Sequence, residues 1–457
     1  MGVRFKTRRI RKGIKPFQLF ALASLLIVLV TASLLQIAPS TRAQTVLHAQ
    51  SQIEPVQIAQ APATPTASPA SVVLDWNGIA QSTVLAASAP APQQFRSLAI
   101  VHTAIFDAVN AIDRRYTPYA VDLKAPANAS AEAAAATAGH AVLVSLYPAQ
   151  KSALDTALTT SLAKIAEGQS KADGIAVGQQ VAEKLIALRS SDGADQKIEY
   201  KAEDKIGVWQ PTPPLFLPAL LPQWNTVTPF VIKSANQFTV PAPLPLDSSA
   251  YAKDLNEVKR LGGRNSTVRT PEQTTAAIFS AISPVVLWNT TAQAAAKAKG
   301  NSLIENARLF ALLNLAGVDA YIAGYDVKYK YKLWRPATAI PQADKLSNSE
   351  ITPDPNWETL IVTPNHPDYI SGHTVTAGAA GQILKAYFGQ DAVNVNIIFP
   401  ANAGVTRTFK SFSQIVDELV ESRIWAGVHT RTANVQGAAL GEQVGDYVFQ
   451  NALRPIS

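Results

Sequence analysis

The chain has 457 residues, 47% of them hydrophobic, with no cysteine and a formal charge of +7. That is enough apolar material for one large core or two, and it excludes disulfides and thiolate metal sites. The charge sits at the start: the first 43 residues hold eight Lys or Arg and no acid, and without them 32 basic residues face 33 acidic ones. The remainder is near neutral, which argues against a nucleic-acid partner, since that needs basic residues in excess on a folded surface.

In chain order, the opening segment reads as an export signal. Arg4 to Lys15 is a basic stretch, Phe17 to Ile37 is almost continuously apolar, and Thr41-Arg42-Ala43 ends on a small residue suited to cleavage before Gln44. A run of roughly 20 apolar residues also spans a bilayer. An uncleaved anchor is therefore the alternative for residues 1–43, and the only membrane contact expected. Either way, the folded part is expected outside the cytoplasm, periplasmic or extracellular. Residues 44–71 are rich in Ala, Pro, Gln, Thr and Ser without periodicity, and are expected to form a disordered linker. Residues 72–457 are expected to be the α-helical domain, beginning with Leu74, Trp76 and Ile79 as buried anchors.

Apolar residues spaced by three and four predict a helix over 95–112 (Leu98, Val101, Ile105, Val109, Ile112). Further helices are predicted over 127–146, 149–166 and 170–188, punctuated by Pro148, Gly168 and Ser191-Asp192-Gly193. Residues 211–245 carry too many prolines for helix and read as an irregular segment over the helical core. Helices resume over 251–261, 271–282, 303–325, 374–388, 413–426 and 435–453. No alternation long enough for a sheet is apparent. The fold class is mainly α, a large helical bundle with short connections.

The chemistry concentrates in residues 325–434. Lys328 and Arg335 precede Pro336, and Arg423 follows Ser422. A lysine ammonium and arginine forks suit oxyanion oxygens. Arg423 is followed by an apolar stretch, Ile424 to Val428, so it is expected to be buried and to need a partner. Lys330 and Lys332 read as surface cations. Ser371-Gly372-His373 looks like a helix N-terminus, with Ser371 or Thr374 capping it and Gly372 admitting an anion to free amides. Of six histidines, His102 and His140 read as core or boundary residues, while His366, His373 and His429 fall in the motif region. An imidazole aimed at a bound oxyanion is a nucleophile toward phosphorus or a ligand to vanadium. A second imidazole is a general acid or base.

These stretches resemble the vanadium-dependent haloperoxidase and type 2 phosphatidic-acid-phosphatase superfamily, in its bacterial secreted branch. Its motifs K-x6-R-P, P-S-G-H and S-R-x5-H-x3-D read here as Lys328 to Pro336, Ile370-Ser371-Gly372-His373, and Ser422-Arg423 to His429, with Ala433 in place of the final Asp. The resemblance implies vanadate as cofactor, with His429 as the vanadium ligand. Lys328, Arg335, Arg423, Ser371 and the Gly372 amide would contact its oxygens. His373 would help deprotonate hydrogen peroxide, the co-substrate. The product would be hypohalous acid, with an organic acceptor downstream. His366 and Tyr325 are the halide-pocket candidates, and His366 points to bromide or iodide over chloride. Glu272 is a candidate buried partner for a site arginine.

The alternative is an extracytoplasmic acid phosphatase acting on phosphate esters with the same residues. The Asp missing at 433 tells against it, because that Asp orients the histidine nucleophile; Asn434 or a backbone carbonyl is the candidate substitute. A non-catalytic oxyanion-binding protein is the third reading. A homo-oligomer is left open.

Overall fold

The computed structural model describes residues 70–398 and 406–456. The expected signal or anchor over 1–43 and nearly all of the expected linker over 44–71 lie outside the described residues. The molecule is helical, as the periodicity predicts, with thirteen α-helices among the described residues. The first five are α1 (Ser71–Ala86), α2 (Ala91–Asp113), α3 (Ala131–Leu146), α4 (Lys151–Leu162) and α5 (Gln169–Arg189). After the irregular segment come α6 (Ser249–Gly262), α7 (Pro271–Phe279), α8 (Pro284–Lys299), α9 (Leu303–Tyr331) and the short α10 (Pro336–Ala339). The last three are α11 (Gly372–Phe388), α12 (Phe412–Trp425) and α13 (Arg431–Asn451).

Three helices escape the sequence reading, the single turn α10 and the longer α1 and α8. For α1 only its anchors are visible, because Asn77, Gln81 and Thr83 are buried among them and blur the apolar stripe. For α8, Val285, Val286, Thr290 and Thr291 are weak helix formers. Its punctuation is nonetheless present, with Pro284 at the first turn and Gly300 left-handed at the end.

The expectation of no sheet is corrected. Strands β1 (Ala392–Ile398) and β2 (Thr406–Ser411) form one antiparallel pair. Val395 and Ile397 point inward while Asn394 and Asn396 point out. The alternation is short and gains its stability from pairing across to Phe409 and from packing beside α8.

The helix α9 is the axis of the fold. It opens with a capping box between Ser302 and Glu305 and is buried for most of its length between α2 and α11. It runs to Tyr331, six residues past the predicted end, so Lys328 lies in its last turn rather than beyond it. A cation there also complements the helix dipole.

Three glycines let α11 and α13 touch backbone to backbone. A Cβ at Gly378 would meet Ala438 O at 2.1 Å, one at Gly441 would meet Val375 O at 2.0 Å, and one at Gly437 would meet Thr374 Oγ1 at 2.3 Å. This contact sets the N-terminus of α11 against that of α13, the two ends that carry Gly372-His373 and follow His429.

The irregular segment, helical only as one turn at Trp224–Thr226, is tied down by a buried carboxylate. Asp319 on α9 accepts the amides of Phe230, Val231 and Ile232 at 2.7, 2.7 and 2.9 Å. Asp107 on α2 does the same for Tyr119, Ala120 and Val121 at 2.6, 2.9 and 2.9 Å. In both cases a loop that cannot pair with a strand satisfies its amides on a helix side chain.

Candidate active site

The site gathers at the end of α9, the N-termini of α11 and α13, and the loop 361–371. Lys328, Arg335 and Arg423 are each at most 1% exposed. Burying three cations is costly, and desolvation lowers each from its ordinary pKa, Arg335 to about 10 and Arg423 to about 9. Lys328 is pushed well down by burial and then by the positive charge of Arg335.

The carbonyls around them take part of the load. Lys328 Nζ donates to Pro367 O at 2.6 Å and to Asp368 O at 3.3 Å. Arg335 Nε donates to His366 O at 2.7 Å, and its Nη1 donates to Val428 O at 2.6 Å. Arg423 Nη1 donates to Ser280 O at 2.9 Å.

Arg335 also binds two of the histidines. Its Nη2 lies 3.0 Å from His366 Nδ1, and its Nη1 lies 3.0 Å from His429 Nε2. The His366 ring packs 5.9 Å from that of Tyr325, which is itself buried on α9. His373, at the first turn of α11, is half-buried, and its ring bonds the backbone of Ile282. Burial first, and the surrounding cations second, hold His366, His373 and His429 well below the ordinary imidazole range. All three are neutral at pH 7.

One residue at the centre was missed by sequence reasoning. Asp368 is fully buried, and its Oδ1 accepts from His429 Nδ1 at 2.6 Å while Oδ2 accepts from the Thr430 hydroxyl at 2.8 Å. The expectation that Ala433 leaves His429 without a carboxylate is therefore corrected: Asp368 supplies it from 61 residues away. Asn434 does not substitute, since its amide donates to Val420 O and its Oδ1 has no partner. The only signal in the sequence was one acid in a proline-rich lead-in, His366-Pro367-Asp368-Tyr369.

Other expectations are corrected as well. Glu272 is not a partner of a site arginine; it is exposed and pairs with Arg407 at 2.7 Å. Ser371 occupies the N-cap position of α11, yet neither its hydroxyl nor that of Thr374 caps the helix. Lys330 is exposed, and Lys332 is half-buried and paired with Glu203, so both stand outside the site. His102 and His140 bond Asn77 and Asp155, in keeping with structural roles.

The remaining imbalance points to a ligand. Among the described residues, Lys328, Arg335 and Arg423 have no side-chain ion pair within 4 Å; the charge of Asp368 bears on Lys328 and Arg335, and no carboxylate offsets Arg423. Ser371 Oγ and Arg423 Nε are buried with no hydrogen-bond partner. Two orphaned donors beside an excess of buried positive charge fit an oxyanion. Gly372 itself packs closely on Tyr321, where a Cβ would approach the ring to 3.2 Å.

Several known proteins are similar to this chain. Residues 308–457 match the model of the vanadium chloroperoxidase second helical-bundle domain. The vanadium-dependent bromoperoxidase of Corallina pilulifera is 29% identical over 114 residues, 22% of this chain and 19% of that protein. The vanadium chloroperoxidase of Curvularia inaequalis is 32% identical over 101 residues, 19% of this chain and 16% of that protein. These alignments thus span less than a fifth of either curated relative.

Similarity of structure is broader. The first bacterial vanadium-dependent iodoperoxidase superposes with a TM-score of 0.76 at 26% identity, over 87% of this chain and 100% of that one. An apo-form bacterial vanadium-dependent chloroperoxidase shares the fold, with a TM-score of 0.66 at 16% identity over 86% of this chain and 96% of that one. The fold and site define the class, a helical bundle of the vanadium haloperoxidase type. More particularly, residues 308–457 are similar to the second helical-bundle domain of vanadium chloroperoxidase, and bacterial vanadium-dependent haloperoxidases are structural neighbours of the chain.

Proposed function

We propose that the protein is an exported, vanadate-dependent haloperoxidase that oxidises bromide or iodide with hydrogen peroxide to hypohalous acid. The observation that carries this is the buried cage of three cations with two unpartnered donors, Ser371 Oγ and Arg423 Nε, beside a neutral histidine. Vanadate, when bound, supplies the activation of peroxide. Lys328, Arg335 and Arg423 balance the charge of its oxygens, and the Ser371 hydroxyl and the Gly372 amide at the start of α11 add fixed donors.

His429 offers Nε2 as ligand. His373, neutral and half-buried, is placed to take a proton from hydrogen peroxide near neutral pH. His366 and Tyr325 line the halide side, and the similarity to an iodoperoxidase supports the heavier halides. The test is peroxide-dependent oxidation of bromide and iodide after vanadate loading. Activity that no loading raises above a His429→Ala control would sink the proposal.

A second reading is an acid phosphatase. The Asp368–His429 bond favours it, since an oriented imidazole is what an attack on phosphorus requires. It predicts vanadate-inhibited hydrolysis of a simple phosphomonoester, abolished in His373→Ala.

A further inference from the structure

We propose that Asp368 is the positioning residue that fixes the tautomer and aim of His429, in place of the carboxylate that the family motif carries four residues after that histidine. The inference rests on reading His429 as the residue that meets the oxyanion's central atom. Both ring nitrogens face one-way partners. A carboxylate only accepts, so Asp368 at 2.6 Å requires a proton on Nδ1. A guanidinium only donates, so Arg335 Nη1 at 3.0 Å requires a lone pair on Nε2. The longer 3.4 Å approach of the same Nη1 to Nδ1 is compatible with neither role and contributes nothing. The ring is thereby held as the Nδ1–H tautomer with Nε2 unprotonated and accepting from Arg335, the form that ligates or attacks once that donor turns to a bound oxyanion.

Asp368 is itself held rigidly. Its second oxygen takes the Thr430 hydroxyl, its amide donates to Leu333 O at 2.9 Å, and Lys328 grips its carbonyl and that of Pro367. Thr430, the N-cap residue of α13, gives its hydroxyl to Asp368 and makes no cap bond. Ala433, the motif position, is fully buried, and its carbonyl accepts the Ser371 amide. That position now joins the two helix ends, and orientation of His429 comes from the loop 361–371. Two of the cations, Lys328 and Arg335, thereby contact the positioning loop directly.

The test uses the full apo protein, labelled with 15N-histidine, and the variants Asp368→Asn and Thr430→Val. Wild type should show a protected, downfield-shifted His429 Nδ1–H resonance, assigned by its absence from His429→Ala. Asp368→Asn should lose it, and Thr430→Val should retain it with faster solvent exchange. Titration with orthovanadate, with inorganic phosphate as competitor, should show affinity weakened about 10- to 100-fold in Asp368→Asn and less in Thr430→Val. A variant Asp368→Asn that keeps the resonance, or binds vanadate within about twofold of wild type, overturns the proposal. If wild type binds no vanadate, the haloperoxidase reading fails and the resonance alone decides the role of Asp368. Should Asp368→Asn not fold, the exchange rate in Thr430→Val decides, and no acceleration overturns it.

Discussion

The two carboxylate nests and the cation cage bury charge in opposite ways. Asp107 and Asp319 each meet three backbone amides, so the charge is satisfied by the chain itself. The cage of Lys328, Arg335 and Arg423 is satisfied only in part and keeps two donors with nothing to bond. A closed network serves the fold. An open one is retained at a cost in stability and marks the place where a ligand completes the structure. Desolvation still raises Asp107 and Asp319, each to about 6, so even a closed nest is not free of burial cost.

The largest effect that would sharpen this contrast is at the nest. Asp319→Ala strands three amides, each worth about 1–3 kcal/mol. Removing the carboxylate also removes its desolvation cost, so a net loss of about 3–5 kcal/mol is expected in urea unfolding, with unchanged turnover in the folded fraction. At the cage the pattern reverses. Arg423→Ala should lower halide oxidation about 10²- to 10³-fold while the melting temperature of the apo protein holds or rises, because an unpaired buried cation is gone. A large drop in melting temperature would break the contrast.

Gly441→Ala tests the helix contact beneath the site. Its Cβ would sit 2.0 Å from Val375 O, so α11 and α13 must separate. A stability loss of about 1–3 kcal/mol is expected, with weaker vanadate binding as the readout that the two helix ends have moved.

The smallest effect concerns pH. Burial lowers His102 from 6.5 to about 3, and it stays neutral between Asn77 and the Phe310 ring. The unfolded imidazole takes a proton as pH falls through 6.5, while the folded one does not until about 3. Its contribution is therefore intact above 6.5 and is lost progressively between 6.5 and 3. His102→Phe should flatten the fall of stability between pH 6 and 4 by about 1.4 kcal/mol per pH unit, measured by urea unfolding at several pH values. An unchanged slope would show that His102 titrates normally in the fold.

Much of this was legible in the chain because helices announce themselves locally. The stripe over 95–112, the long α9 and the order Lys328, Arg335, Ser371-Gly372-His373, Arg423, His429 are all short-range patterns, and the structure brings those residues together. What stayed hidden depends on distant partners. Asp368 reaches His429 across 61 residues, and Ser280 reaches Arg423 across 143. The glycine contacts of α11 with α13 look like ordinary small residues until the two helices meet. Ala433 was misleading for a related reason: the motif specifies where a carboxylate stands in the chain, whereas His429 requires only that one stand in space. Glu272 failed conversely, since this exposed acid on α7 proved to serve the half-buried Arg407, away from the site.

The most direct measurement of the central claim is iodide and bromide oxidation by one purified preparation, titrated with orthovanadate at fixed hydrogen peroxide. The account predicts turnover that rises with vanadate, saturates at one equivalent per chain and is absent in His429→Ala. Turnover independent of vanadate, or equal in wild type and His429→Ala, would contradict it.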